Sequence, residues 1–199
     1  MGKKELVPIM DKIGRRKPNT RPITRERANK EGYVSPIICA TLPLLGTNKI
    51  IENLRGPKSD FLSNEWLFFA TEHMKASDDT YLATLIRGMK EEFNYEVNEQ
   101  KIYNPRLEAE ISYELPGGKR AVKYAKFYVV PVKSLDDLSP DGEEIIELRE
   151  RRYSAIRKAI IRGSHLLSKI EPKHFLYGAL GATEDVLSGK WSQNGKAKD

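Results

Sequence analysis

The stretch RGMKEEFNY, residues 87–95, places an arginine and two adjacent glutamates at the end of a predicted helix. Two interpretations are open for Glu91 and Glu92. They either form a solvated helix end or belong to a metal-binding catalytic helix, because carboxylate oxygens are hard ligands that suit Mg²⁺ or Mn²⁺. The two residues alone do not decide, since exposed acids at a helix end are common by chance.

The helix that carries this stretch is predicted to begin near Ser77, a residue type that caps helices. Asp78 and Asp79 suit the first turn, where the helix dipole favours anions. At about 100° per residue, Gly88 and the two glutamates fall on roughly the opposite side from the apolar face. We therefore expect both glutamates to project away from the sheet and into solvent. The apolar face is made of Leu82, Leu85, Ile86, Met89 and Phe93.

Predicted strands lie on both sides of this helix in the sequence. Residues 33–42 are rich in β-forming residues and predict a central strand, and KIIENL and EWLFFA predict two more. The clearest hairpin runs from residue 111 to 131 and turns at Pro116-Gly117-Gly118. EIIELRERRY is open between strand and helix, whereas YSAIRKAIIRG and residues 171–190 predict helices. A short helix is also predicted between Thr24 and Gly32.

This order of elements and the helix sequence resemble the Nudix hydrolases. The resemblance spans about residues 33–165 by element order, while its specific residues lie within 66–95. Asp79 keeps the charge of the family's first glutamate, Asn94 stands at the second glycine, and Trp66 stands where the family often has tryptophan. The resemblance implies an α/β fold of the α+β kind, a Nudix-like α/β/α sandwich with a mixed central sheet, here extended by a C-terminal helix. Four positions of the Nudix box match outright, namely Arg87, Met89, Glu91 and Glu92.

Two positions depart from the family pattern. His73 replaces the first glycine of the box, and Gly88 replaces the glutamate that follows the arginine. In the family that glutamate is a metal ligand, and the arginine orients the acidic cluster. The resemblance therefore implies catalytic roles for Arg87, Glu91 and Glu92, of which the two glutamates would bind Mg²⁺ or Mn²⁺.

The loss of an acid at Gly88 leaves the metal site incomplete by the family's standard. Two carboxylates can still hold one Mg²⁺, which keeps several waters and relies on substrate phosphates. The glycine also leaves room for the close approach of a substrate. A further ligand from a later loop is open among Asp136, Asp137, Glu143, Glu144 and Glu147.

The charge of the chain is concentrated at its start. Residues 1–32 hold ten Lys and Arg against four Asp and Glu, which equals the net charge of +6 of the whole chain. We interpret them as a basic N-terminal extension that is dispensable for the core. It either only solubilises the protein or contacts RNA through the basic residues between positions 3 and 30. The Nudix-like domain then spans 33–190, and 191–199 form a flexible tail.

Composition narrows the setting and the function. Cys39 is the only cysteine, which excludes an internal disulfide and favours a reducing, cytoplasmic location. The apolar runs are too short to span a bilayer. Two functions stay open: a divalent-metal-dependent pyrophosphohydrolase acting on a nucleoside diphosphate linked to another group, or a catalytically impaired Nudix-fold module that binds a nucleotide or RNA. By analogy with the family, we also expect a homodimer.

Overall fold

A computed structural model describes residues 6–10, 16–31, 33–57, 59, 63–114 and 120–191. The helices are α1 (Arg25–Lys30), α2 (Tyr81–Phe93), α3 (Tyr153–Ile161) and α4 (Lys173–Leu187). The strands are β1 (Leu6–Val7), β2 (Ile23–Thr24), β3 (Ser35–Thr41), β4 (Lys49–Arg55), β5 (Trp66–Leu67), β6 (Ala70–His73), β7 (Glu108–Glu114), β8 (Arg120–Val129) and β9 (Ile145–Arg152). The predicted turn at 116–118 and the tail beyond 191 lie outside the described residues.

The central sheet is mixed and has the order β6-β3-β8-β7. Strand β3 pairs antiparallel with β6 and parallel with β8. Strands β7 and β8 pair antiparallel, which confirms the predicted hairpin. Every residue of β3 is buried, as expected of a central strand with neighbours on both sides.

Two apolar layers cover the two faces of this sheet. Because side chains alternate along a strand, Ile37 and Cys39 join the layer that contains α3 and α4. Ile38 and Ala40 join the layer that contains α2. The α/β/α sandwich expected from the sequence is therefore present. None of the described helices is long and apolar enough to cross a membrane.

A second sheet has the order β5-β4-β9 and is antiparallel throughout. It settles the open interpretation of EIIELRERRY, since residues 145–152 form strand β9. The pairing of β4 with β9 shifts register between Leu54 and Arg55, at the end of β4. This irregularity lies at Arg55, a buried arginine.

Helix α2 begins later than predicted. Its cap is Thr80, whose hydroxyl accepts a hydrogen bond from the Ala83 N–H at 3.0 Å. Asp78 lies in a preceding turn, where its N–H donates to the Lys75 carbonyl, so the predicted start near Ser77 is wrong. The helix ends as expected at Asn94, which has left-handed backbone angles.

The N-terminal extension packs on the domain where it is described. Val7, Met10 and Ala28 are buried, and Met10 belongs to the same apolar layer as α2. The Met10 N–H donates to the Val34 carbonyl at 3.0 Å. This packing was not expected from the composition of the segment and weighs against a dispensable extension, while the effect of removing it stays a prediction. The domain boundary at residue 33 stays a prediction.

Candidate functional site

The two adjacent glutamates at the end of α2 have different surroundings. Glu91 is exposed, whereas only 4% of the Glu92 surface is accessible. The expectation that both project into solvent is thus wrong for Glu92. The prediction considered only the sheet as a packing partner. A second cover comes from residues 139–144, where the N–H groups of Ser139 and Asp141 donate to the carbonyls of Phe93 and Glu92.

Arg87 organises one group of charges, which we name the Arg87 cluster: Arg87, Asp78, Glu91 and Lys75. The guanidinium donates to both carboxylate oxygens of Asp78, at 3.1 and 2.8 Å, and to Glu91 at 2.8 Å. A further bond of 2.8 Å reaches the carbonyl of His73 on β6. Lys75 donates to both oxygens of Glu91, at 3.2 and 3.0 Å. Each charged group of this cluster is therefore paired.

Hydrogen bonding decides the pKa shifts in the Arg87 cluster. Partial burial alone would raise the pKa of Asp78 and of Glu91. For Asp78, hydrogen bonds from Arg87 and from the Lys75 N–H outweigh burial and lower the pKa. For Glu91, hydrogen bonds from Lys75 and Arg87 lower the pKa in the same way. Both acids are thus held ionised, which is typical of a structural ion-pair network.

Arg55 organises the second group, which we name the Arg55 cluster: Arg55, Glu92 and Glu144. Only 3% of the Arg55 surface is accessible, and its guanidinium lies 3.4 Å from Glu92 and 3.4 Å from Glu144. Its Nε donates to the Ser59 hydroxyl at 2.9 Å. Within the described residues, the Glu92 Oε1 atom is buried and has no hydrogen-bond partner. The single positive charge of Arg55 therefore lies beside two carboxyl groups and can neutralise only one of them.

Burial dominates the pKa of Glu92. Loss of hydration raises this pKa well above its ordinary value, and Arg55 opposes the shift only in part. The negative charges of Glu72 and Glu144 raise it further. Glu92 thus carries the electrostatic signature of a functional carboxyl, a buried acid with a strongly shifted pKa beside other acids.

Glu72 on β6 lies between the two clusters. Its carboxylate is 3.3 Å from the Arg87 guanidinium, and it interacts electrostatically with Glu92. Burial raises the pKa of Glu72, with Arg87 opposing the shift. Sequence reasoning missed this residue. Strand alternation could have indicated it. Ala70 faces α2, and side chains two positions apart in a strand lie on the same face of the sheet, so Glu72 faces α2 as well.

The space beside Gly88 is filled. A Cβ atom at this position would lie 2.8 Å from Cγ and 2.9 Å from Cβ of Glu72. The expectation that Gly88 leaves room for a substrate is therefore wrong, because the strand's own glutamate takes that room. The described residues contain no group of three or more His, Cys, Asp or Glu side chains arranged to hold a metal ion.

Several solved structures match this chain. The crystal structure of DR0079 from Deinococcus radiodurans has a TM-score of 0.58 at 13% identity and covers 80% of this chain and 90% of its own. A C. elegans Ap4A hydrolase, solved as a binary complex, has a TM-score of 0.47 at 18% identity, covering 77% of this chain and 98% of its own. A Nudix hydrolase from M. smegmatis, RenU, has a TM-score of 0.44 at 12% identity, covering 93% and 96%. The chain shares its fold with DR0079.

These similarities concern the fold alone, since the identities are low. No protein-family model matches the chain, and no curated protein sequence matches it. The α/β/α fold with a mixed central sheet that the resemblance implied is confirmed.

The residues predicted from the Nudix box are only partly brought together. Arg87 contacts Glu91, as expected, but Glu92 belongs to the other cluster. Of the later acids, Glu144 reaches the Arg55 cluster. Asp136 and Asp137 instead belong to the cap of a short 3₁₀ turn at Ser134. Arg55 was missed, since an arginine at the end of an apolar strand gives no sign in the sequence that it turns inward.

Two further positions of the box, His73 and Asp79, lie outside the two clusters. His73 is on β6, and its Nδ1 lies 3.3 Å from an Arg25 nitrogen of α1. Burial, with Lys123 as the next cause, lowers the pKa of His73 well below its usual value. Asp79 is exposed. Neither residue belongs to the two clusters.

Proposed function

We propose that this chain is a divalent-metal-dependent pyrophosphohydrolase that acts on a nucleoside diphosphate linked to another group. The observation that supports this function is the buried Glu92 carboxyl, whose Oε1 has no hydrogen-bond partner among the described residues. Burying a polar atom without a hydrogen-bond partner costs free energy. A carboxylate oxygen is the kind of ligand that a hard cation such as Mg²⁺ binds. The Nudix-like fold supplies the class of reaction.

We propose that one divalent cation binds at Glu92. Glu92 and Glu91 are the ligands that the Nudix resemblance implies, and two carboxylates suffice for an Mg²⁺ that keeps several waters. In our proposal Glu92 contributes more than Glu91 to the affinity for the cation, because the oxygens of Glu91 already accept hydrogen bonds from Lys75 and Arg87. When bound, Mg²⁺ or Mn²⁺ neutralises phosphoryl oxygens and lowers the pKa of a water molecule.

The arginines position these acids in our proposal. Arg87 ties the end of α2 to β6 by bonding Glu91 and the His73 carbonyl together. Arg55 fixes the Glu92 carboxylate from the opposite side. Arg55 is too deeply buried to contact a substrate directly, so its role is to orient Glu92.

Calorimetric titration with Mn²⁺ tests this proposal. Wild type is expected to bind Mn²⁺, and Glu92→Gln, which keeps the shape but removes the charge, is expected to bind at least about tenfold more weakly. Glu110→Gln is the matched control, because Glu110 is an exposed strand glutamate outside both clusters. Equal Mn²⁺ affinity of wild type and Glu92→Gln would reject the metal site.

Hydrolysis is measured in parallel on dinucleoside polyphosphates, nucleotide sugars and 5′-triphosphorylated RNA, with Mg²⁺ and with Mn²⁺. Cleavage that depends on the metal and on Glu92 is the expected result. The alternative, a binding module without catalysis, has one observation in its favour: the Arg55 guanidinium already lies among the acids. Metal binding without cleavage of any of these compounds would favour that alternative.

An RNA contact through basic residues in 3–30 and a homodimer stay predictions of the sequence. Two of these basic side chains make contacts within the chain: Arg16 donates to the Asp78 carbonyl, and Arg27 pairs with Glu31. If the extension binds RNA, the affinity is expected to fall steeply with salt, because phosphate contacts release counterions. Sedimentation analysis measures the oligomeric state.

A further inference from the structure

Gly88 and Glu72 compete for one space between α2 and β6. The missing side chain at Gly88 is what admits the Glu72 side chain, since a Cβ at position 88 would overlap both Cβ and Cγ of Glu72. Contacts under 3.0 Å of this kind require one of the two groups to move. Only one of the two positions can therefore carry a long side chain while the backbones stay where they are.

The geometry of β6 directs Glu72 toward the helix. Glu72 pairs with Ile38 of β3, and its side chain lies on the same side as Ala70, in the layer of α2. The strand cannot turn this side chain away without a change of register. The Glu72 side chain is thus held in place between β6 and α2.

The carboxylate of Glu72 also meets the charges of the site. It lies 3.3 Å from Arg87 on one side and interacts with Glu92 on the other. A second, independent observation points to a ligand here: Glu92 is 4% exposed, and its Oε1 lacks a hydrogen-bond partner among the described residues. Two neighbouring carboxyls repel each other when both are ionised, and a divalent cation relieves that repulsion.

We propose that Glu72 supplies, from strand β6, the cation-binding carboxylate that the resemblance places on the helix at position 88, so that Glu72 and Glu92 together hold the divalent ion. This inference rests on the proposed metal-dependent function and changes its ligand set. Relative to the family pattern, the carboxylate stands on β6 at position 72 and no longer on α2 at position 88. The exchange explains why a glycine stands in the third turn of an otherwise regular helix.

An exchange of the two positions tests the proposal in the full-length protein. Gly88→Glu alone is expected to lower the melting temperature, because the new Cβ collides with Glu72. Glu72→Ala alone is expected to weaken Mn²⁺ binding at least about tenfold. The double variant Glu72→Ala/Gly88→Glu removes the contact with Cγ of residue 72, although the 2.9 Å contact with its Cβ remains, and returns a carboxylate to the helix. It is expected to have a higher melting temperature than Gly88→Glu and to bind Mn²⁺ more tightly than Glu72→Ala.

Glu72→Gln provides a second test that does not depend on the folding of the exchanged protein, because it changes no heavy-atom positions. It is expected to lose Mn²⁺ affinity, with Glu110→Gln as the matched control. Wild-type affinity in Glu72→Gln would overturn the inference, as would a double variant that binds no better than Glu72→Ala.

The outcomes separate the two proposals. If Glu92→Gln loses Mn²⁺ affinity while Glu72→Gln keeps it, the metal-dependent function stands and the role of Glu72 is rejected. If wild type itself binds no Mn²⁺, the metal-dependent function is rejected, and the role of Glu72 is rejected with it.

Discussion

The Arg87 cluster and the Arg55 cluster contain the adjacent residues Glu91 and Glu92 of helix α2 and differ in how completely their charges are paired. In the Arg87 cluster, two cations meet two acids in short hydrogen bonds, and the pKa values of both acids are lowered. In the Arg55 cluster, the contacts are 3.4 Å long and the pKa of Glu92 is raised. The first arrangement is typical of a structural ion-pair network, and the second is typical of a functional site.

The comparison also shows what the helix itself does. Glu91 and Glu92 are adjacent in the chain and chemically identical, yet one is exposed and the other buried. A rotation of about 100° between successive residues separates them. The helix thus presents an exposed, fully paired acid to one cluster and a buried, incompletely paired acid to the other.

The largest effect is expected from Arg55→Met. This change leaves Glu92 buried without its cation, and breaking one partner of a buried ion pair costs about 3–5 kcal/mol. Urea unfolding at neutral pH measures the loss. Lys49→Met is the matched control, because Lys49 pairs with Glu150 at the surface and such pairs contribute about 1 kcal/mol or less. Equal losses for the two variants would contradict the difference between a buried and an exposed pair.

Met10→Ala is expected to destabilise the fold by about 2–5 kcal/mol, because it empties part of the buried layer beside α2. Thermal and urea unfolding measure this cost. The Mn²⁺ affinity of the folded variant should remain that of wild type. The contact from the extension that the structure shows here, from Arg16 to the Asp78 carbonyl, reaches the Arg87 cluster and not the proposed metal ligand Glu92. Leu6→Ala is the control, because Leu6 is 45% exposed. A change below that of the control would restore the interpretation of a dispensable extension.

Asp78→Asn is expected to cost about 1–3 kcal/mol, because it weakens hydrogen bonds from Arg87 to a charged, buried acceptor. The pH dependence has a defined sign. Since folding lowers the pKa of Asp78, its contribution is present above its ordinary pKa of 3.8 and is lost as the pH falls through the folded pKa. Acid unfolding of the variant should therefore show a shallower loss of stability below about pH 4.

The opposite sign is expected for Glu92. Folding raises its pKa, so the ionised form destabilises the fold as the pH rises above the ordinary pKa of 4.5. Glu92→Gln should remove that loss. If the two variants changed the pH profile in the same direction, the proposed contrast between the clusters would be wrong.

The smallest effect is expected from Glu91→Gln. Glu91 is exposed, and pairs of this i,i+4 kind contribute about 0.3–0.5 kcal/mol. Its Mn²⁺ affinity is expected to change less than that of Glu92→Gln, because Lys75 and Arg87 already occupy the Glu91 oxygens. Calorimetry on both variants under one set of conditions makes this comparison. A larger effect at Glu91 would move the metal site to the Arg87 cluster.

The sequence was sufficient for the parts of the fold that depend on local patterns. The hairpin of β7 and β8, the central strand β3 and the cap at Asn94 follow from alternation and from backbone preference. The burial of Glu92 does not, because it depends on residues 139–144, which fold back on the helix end from 46 or more positions away. The role of Glu72 depends on a steric relation with Gly88, which only a three-dimensional arrangement expresses.

The pairing of β4 with β9 has a consequence for the order of events in folding. Arg55 and Glu144 are 89 positions apart in the chain, so their contact forms only after a long loop has closed. Closure of such a loop is entropically costly, and pairings of this kind are formed slowly. The Arg55 cluster is therefore expected among the late structures on the folding pathway. A cation that needs this cluster would bind the finished protein and slow its unfolding, while leaving its folding rate unchanged.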